Sequence, residues 1–171
     1  MNVNNMKPSL SYLTTRISVD VGLGIVRWID ATKKHAQLNG KEAGSPRKGT
    51  SNGKSYWHVK IDSVPLKRSH IVFLFTNGRW PSLQIDHING NSLDDRIENL
   101  REVTPTQNAW NHKGRRKSSG LPMGIRKSPS GKYQARITCN KKVFQLGSFS
   151  SLDEAESIYK QKRKEMFGEY A

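Results

Sequence analysis

The sequence predicts an α+β protein in two functional parts, and three observations carry that prediction. An Asp-His/Asn/Asn array is strung over a strand, a loop and a helix at about residues 83–112. Beyond a basic stretch the hydrophobic period switches to two and then to a helical repeat, which describes a small sheet followed by one helix. The 171-residue chain carries a formal net charge of +15, from 29 Lys and Arg against 14 Asp and Glu. That balance selects a polyanionic partner, because each neutralised phosphate releases counterions.

Taken in order, residues 24–29 and 56–61 are strand-like, rich in β-branched and aromatic side chains. The stretch 41–54 between them is rich in Gly, Ser and Lys and is expected to be an exposed loop. Residues 68–75 are apolar enough for a buried strand or a short helix. A helix stopping at Asn77-Gly78 is preferred, since glycine just past the last turn is a common stop. Farther on, Thr104 suits an N-cap, Pro105 the first helical position, and Gln107 completes a capping box. Asn108 then falls in the first turns of a helix, with Asn111 and His112 on the same face.

Residues 113–120 have the composition of a flexible basic linker. Next, Tyr133, Ala135 and Ile137 alternate with Gln134, Arg136 and Thr138, and Phe144 and Leu146 with Gln145, which predicts half-buried antiparallel strands. Residues 151–167 read as an amphipathic helix on Ala155, Ile158, Tyr159, Lys162 and Met166. Ser151 is its expected N-cap, with Glu154 in a capping box and Gly168 as the stop. The resulting boundaries are 1–112, a linker at 113–120 and a second module at 121–171.

Composition narrows the setting. Cys139 is the only cysteine, which excludes an internal disulfide and a four-cysteine zinc site and fits a reducing cytoplasm. No stretch has the apolar length of a membrane span, and residues 1–10 lack the order of a signal peptide, so no membrane partner is expected. At 34% hydrophobic residues, the cores must be small.

The array supplies the parts of a phosphodiester-cleaving site. An imidazole exchanges protons near neutral pH, which suits His87 to the role of general base. Asp86 and Asn108 offer oxygen ligands, a set that favours Mg²⁺ or Mn²⁺ over zinc. Asn99 is placed to tie the loop to the strand. Arg101 either steadies the scissile phosphate or pairs with Asp95 or Glu98. Adjacent strand residues point to opposite faces, so Asp86 and His87 can serve one phosphate only if the chain bends at Asn89-Gly90-Asn91. Taken singly these signals are weak: Asp-His pairs and Asn-rich turns are common, and His58 and His70 read as core or surface histidines.

Together they are specific. Ile85-Asp86-His87-Ile88-Asn89-Gly90, then 94–101 ending in Asn99-Leu100-Arg101, then Thr104-Pro105-Thr106-Gln107-Asn108 resemble the ββα-metal finger of phage and intron homing HNH nucleases. Asn99 and Asn108 follow Asp86 by 13 and 22 residues, and the resemblance covers about residues 69–112. It implies a nuclease finger with an N-terminal β extension, hydrolysing double-stranded DNA with Mg²⁺ or Mn²⁺ held by Asp86 and Asn108. His87 would be the base and Asn99 a member of the catalytic set. Relatives with a second metal-binding His carry it four residues after the first ligand; here Asn108 leads and His112 follows at that spacing, so His112 stands as an alternative ligand. No further small-molecule cofactor is implied. A monomer or transient dimer on DNA, and a bacterial host cytoplasm if phage-encoded, are. The rival functions are a DNA-binding regulator that has lost activity, and a nuclease of phage packaging or restriction.

Gly124-Ile125-Arg126-Lys127, Gly131-Lys132-Tyr133, Leu146-Gly147-Ser148-Phe149 and Glu154-Ala155 resemble, in order, the APETALA2/ethylene-response DNA-binding domain over about residues 119–171. This implies a three-stranded antiparallel sheet packed on one helix, with the sheet laid in the major groove. The DNA-binding candidates are Arg115, Arg116 and Lys117 in the linker, Arg126, Lys132, Gln134, Arg136, Thr138 and Gln145 on the sheet, and Arg101. Residues 113–142 hold ten Lys or Arg and no Asp or Glu, more than solubility alone requires. Ser130, Thr138, Val143 and Gln145 stand where plant relatives use Trp and Arg, so their target sequence does not transfer.

Overall fold

Ile71, Val72, Phe73 and Leu74 are all buried in helix α2 (Arg68–Asn77). A helix apolar on four successive residues must be covered on every side, and a set of short antiparallel sheets covers it. The computed structural model describes residues 7–31, 33–49, 53–111 and 120–170 and divides into two units, Met1–Pro105 and Thr106–Ala171.

In the first unit, α1 (Leu10–Arg16) leads into a hairpin of β1 (Ile17–Asp20) and β2 (Ile25–Trp28). A three-stranded sheet follows, β3 (Ser45–Lys48), β4 (Ser55–Ile61) and β5 (Val64–Lys67), with β4 in the centre. Leu13, Ile17, Val26, Ala43, Val59, Ile61 and Leu66 close with Ile71 and Leu74 into one core. Gly78 takes a left-handed conformation (φ 68°) just past α2, and its N–H returns to the Leu74 carbonyl, the stop that the sequence predicts. Two strands then form a second hairpin, β6 (Gln84–His87) and β7 (Leu100–Val103).

The expected loop at 41–54 is in part a strand. β3 pairs with β4 from Ser45↔His58 to Lys48↔Ser55, and Ala43 beside it is fully buried. All four β3 side chains are exposed, so no hydrophobic alternation marks the strand. Backbone pairing at a sheet edge holds it, and an edge position is where Pro46 is tolerated.

Helix α3 (Pro105–Trp110) follows β7 and starts at Pro105, as its fixed φ favours. From Thr106 onward it groups with the second unit. There Trp110 stacks on Phe167 with ring centroids 4.9 Å apart, and Arg163 donates to the Trp110 carbonyl. The second unit also holds β8 (Ile125–Lys127), β9 (Tyr133–Cys139) and β10 (Lys142–Phe149), in the order β10-β9-β8, with α4 (Leu152–Phe167) packed on one face. Ile125, Ala135 and Ile137 are buried there with Ala155 and Tyr159.

Two details differ from expectation. Phe144, opposite Ile137 on the edge strand β10, is 41% exposed, and it is Leu146, beyond a register shift between Gln145 and Gly147, that packs against the core. Ser151 is the N-cap of α4, but its side chain makes no cap hydrogen bond; Asp153 and Glu154 lie in the first turn, where the helix dipole favours carboxylates. Residues 113–119 of the basic linker, with Arg115, Arg116 and Lys117, and also His112, lie outside the described residues. Among the described residues, no helix is long and apolar enough to cross a membrane.

Candidate active site

The β6–β7 hairpin sets Asp86 opposite Arg101 and His87 opposite Leu100. Both acidic and imidazole groups are buried, Asp86 at 8% and His87 at 6% exposure. They engage different partners, as adjacent strand residues must. Arg101 Nε donates to Asp86 Oδ2 at 3.0 Å, and Arg101 Nη2 lies 3.0 Å from the same oxygen. The ion pair of Arg101 is thus with Asp86, whereas Glu98 pairs with Arg96 and Asp95 with Arg68.

His87 Nε2 lies 2.8 Å from Asp95 Oδ1, in hydrogen-bond reach of a carboxylate that is itself 2% exposed. The other oxygen, Asp95 Oδ2, accepts from Arg68 Nε at 2.7 Å. Arg68 extends the network to Glu42 Oε1 (2.7 Å) and to the Leu93 carbonyl (3.0 Å), and its guanidinium lies 4.3 Å from the centre of the Trp57 ring. A buried carboxylate between a guanidinium and an imidazole has a hydrogen-bond partner on each oxygen and a cation beside it, the condition for burying it at all.

The loop from β6 to β7 is fixed by its own amides. Gly90 N donates to the His87 carbonyl, bending the chain directly after the strand. Asn99, 5% exposed, accepts from the Asn89 N–H (2.9 Å) and donates to the Asp94 carbonyl (2.7 Å), while Ile88 N donates to the Asn99 carbonyl. The Arg96 guanidinium, bonded to both Asp94 oxygens, pushes that carboxyl down to about 2, with the Asn89 amide adding to it. At the start of β6, the Arg79 guanidinium and the backbone N–H groups of Leu83 and Ser82 hold Glu102 down to about 2. Burial pushes His70 down to about 4, helped by Lys67 and Lys7.

Asn108 sits on α3 in the second unit, half-buried. Among the described residues no cluster of three or more His, Cys, Asp or Glu gathers around one point. On the sheet of that unit Arg126, Gln134, Arg136, Thr138 and Gln145 share the face opposite Ala135 and Ile137, in cross-strand pairs Arg126↔Gln134, Arg136↔Gln145 and Thr138↔Val143. Arg126 Nε donates to Gln134 Oε1 at 2.7 Å. Lys132 is exposed in the turn before β9.

The comparisons bear on the first of these regions. A model of the HNH endonuclease family matches residues 67–110. An uncharacterised HNH endonuclease of Acanthamoeba polyphaga mimivirus is 31% identical over 121 residues, which is 70% of this chain and 63% of that protein. Protein 3.8 of Escherichia phage T7 is 33% identical over 107 residues, 61% of this chain and 88% of the relative. Residues 67–110 are thus similar to the HNH endonuclease family, and a relative named as an HNH endonuclease supports that match. No solved structure matches it. The HNH match contains Arg68, Asp86, His87, Asp95, Asn99, Arg101 and Asn108 and ends before the C-terminal sheet.

Sequence reading passed over Asp95 and Arg68. Nothing in spacing separates Asp95 from Asp94, yet the first is buried against His87 and the second is bonded by exposed Arg96. A weak signal for Arg68 exists: an arginine opening a helix whose run from Ile71 to Phe75 is wholly apolar needs an acceptor if it is buried with that helix.

Proposed function

We propose that this HNH protein is a divalent-metal-dependent endonuclease acting on double-stranded DNA. One observation carries the reading: Asp86 and His87 stand buried side by side at the end of β6, each held by a partner of its own, within the span matched by the family. His87 takes a proton from water, the water oxygen forms a bond to phosphorus, and the bond from phosphorus to the leaving sugar oxygen breaks. Asp86 and Asn108 would hold Mg²⁺ or Mn²⁺, since one carboxylate and one amide oxygen suit a hard cation. The ion would supply positive charge to offset the negative charge that develops in the transition state. Asn99 locks the loop on which this geometry rests, and His112 is the reserve ligand.

In the ββα arrangement of this proposal β6, β7 and α3 form the finger, 113–120 links it to the DNA-reading module, and the basic sheet of 121–171 selects the site. Both relatives are viral, one from a giant virus and one from a phage. That supports a mobile, homing or nicking enzyme at work in a host cytoplasm, as monomer or transient dimer. Arg101 on Asp86 favours a second reading, a DNA-binding regulator whose carboxylate is kept from metal.

One assay separates the two. Incubation with random-sequence plasmid DNA and Mg²⁺ or Mn²⁺ should give nicks or breaks, and His87→Ala should slow them by about 10²–10⁴-fold, the worth of a general base. Cleavage by His87→Ala at the wild-type rate refutes His87 as the base, and no cleavage by the wild type refutes the nuclease assignment.

A further inference from the structure

Resting on the nuclease reading, we infer that Asp95, held by Arg68, is a positioning residue that keeps the ring proton of His87 on Nε2, so that Nδ1 is the nitrogen that takes the proton from water. The geometry is specific. A carboxylate only accepts hydrogen bonds, so the nitrogen 2.8 Å from Asp95 Oδ1 must be the one bearing hydrogen. The tautomer of a histidine is set by the bond that one ring nitrogen makes, and that fixes the chemistry left to the other.

Asp95 cannot drift from this place. Its second oxygen accepts from Arg68 Nε, and Arg68 is in turn fixed by Glu42, the Leu93 carbonyl and the Trp57 ring. Its backbone is fixed as well. Gly24 (φ 66°) turns β1 into β2 directly against it, so close that a Cβ on Gly24 would lie 2.3 Å from the Asp95 carbonyl carbon. Next along, Ile97 N donates to the Val21 carbonyl at 2.9 Å. The N-terminal hairpin therefore serves the HNH loop by fixing the residue that orients the base.

Asp95→Asn gives a test in which shape is kept and the proton is moved. Arg68 Nε still requires an acceptor, so the amide oxygen must turn to Arg68 and the amide NH₂ to His87. His87 Nε2 then has to accept, and the ring proton shifts to Nδ1. In the full chain with ¹⁵N-labelled histidine, the wild-type His87 should show the Nε2–H tautomer at a pH where the ring is neutral, and Asp95→Asn the Nδ1–H tautomer. With Mg²⁺ and DNA, kcat of the variant should fall by about 10²–10⁴-fold, as for loss of the base itself, with KM and DNA affinity unchanged.

A wild-type ring protonated on Nδ1 overturns the inference without any variant, so a failure of Asp95→Asn to fold does not protect it. A variant that melts earlier but keeps both tautomer and kcat overturns it too, since that is what a purely structural carboxylate would give. Should the wild type cut no DNA with either metal, the nuclease reading fails, and the ring proton still decides whether Asp95 orients His87.

Discussion

Arg101 and Asp86 face one another across the β6–β7 hairpin, with Arg101 Nε and Nη2 each 3.0 Å from Asp86 Oδ2. The carboxylate assigned to the metal is thus already matched by a cation of the chain. A bound ion and the guanidinium compete for one negative charge, so metal binding should redirect Arg101, with phosphate as its natural new partner.

That competition has a measurable consequence. Arg101→Gln removes this cation from a mostly buried carboxylate, and breaking such a pair costs on the order of 3 kcal/mol. The metal-free variant should therefore melt well below the wild type. Mn²⁺ should raise its Tm by more than it raises that of the wild type, because the ion no longer displaces a guanidinium. Equal Mn²⁺-induced shifts in the two proteins would remove Asp86 from the metal site.

The proposed metal ligands are separable by cation rescue. Asp86→Ala and Asn108→Ala each delete one proposed oxygen ligand, and cleavage by either variant should fall and recover in part at high Mn²⁺. His112→Ala should have a smaller effect. If it proves as damaging as Asn108→Ala, α3 contributes two ligands rather than one. The measurement is the cleavage rate against Mn²⁺ concentration for all three.

How much of this was legible in the sequence depends on which force wrote each feature. Helix α2 and its Gly78 stop were readable because burial and a left-handed cap leave marks on residue type. β9 was readable because Ala135 and Ile137 are buried in alternation with more open neighbours. β3 was not, since an edge strand with four exposed side chains is held by backbone bonds that any sequence can make. In the site, Asp86 and His87 announced themselves by order and spacing. Asp95 did not, because its importance comes from Arg68 and His87, which are 27 and 8 residues away in the chain and meet only in the fold. The packing of α3 was equally hidden: Trp110 stacks on Phe167, a contact that the spacing of Asp86 and Asn108 does not encode.

His70 makes stability depend on pH in a direction that can be worked out. Its pKa falls from an ordinary 6.5 to about 4 in the folded protein, chiefly through burial and then through Lys67 and Lys7, with Asp95 opposing and His58 adding. Below pH 6.5 the unfolded chain gains a proton at His70 that the folded chain refuses, so stability is lost as pH falls from there toward 4. The loss amounts to roughly 3 kcal/mol at most. Melting curves from pH 7 to 4 should show it, and His70→Gln should flatten that limb. An unchanged limb in the variant would assign the acid sensitivity to another group.

The final prediction tests whether the second unit reads DNA, as proposed, and through which side chains. Arg126 and Arg136 lie on the sheet face opposite Ile125, Ala135 and Ile137, so their guanidiniums are not part of the core that α4 closes. Arg126 is exposed, and its bond to Gln134 Oε1 prearranges two polar groups side by side, the kind of pair that can address adjacent base edges. Deleting a bidentate arginine contact to guanine costs about 1–3 kcal/mol of discrimination, whereas deleting a phosphate contact weakens all sequences alike. Arg126→Ala should therefore lower the ratio of cleavage at a mapped site to cleavage of random DNA. Its Tm should stay near the wild type, since exposed substitutions stay within about 0.5 kcal/mol. Arg136→Ala should act in the same direction. Cutting the chain near residue 118 is the poorer experiment, because it would also strip Phe167 and Arg163 from Trp110 on the helix that carries Asn108. The comparison must be made at fixed salt, as salt alone moves non-specific binding by orders of magnitude. A uniform loss on all sequences would make the sheet an electrostatic anchor and place site selection in the first unit.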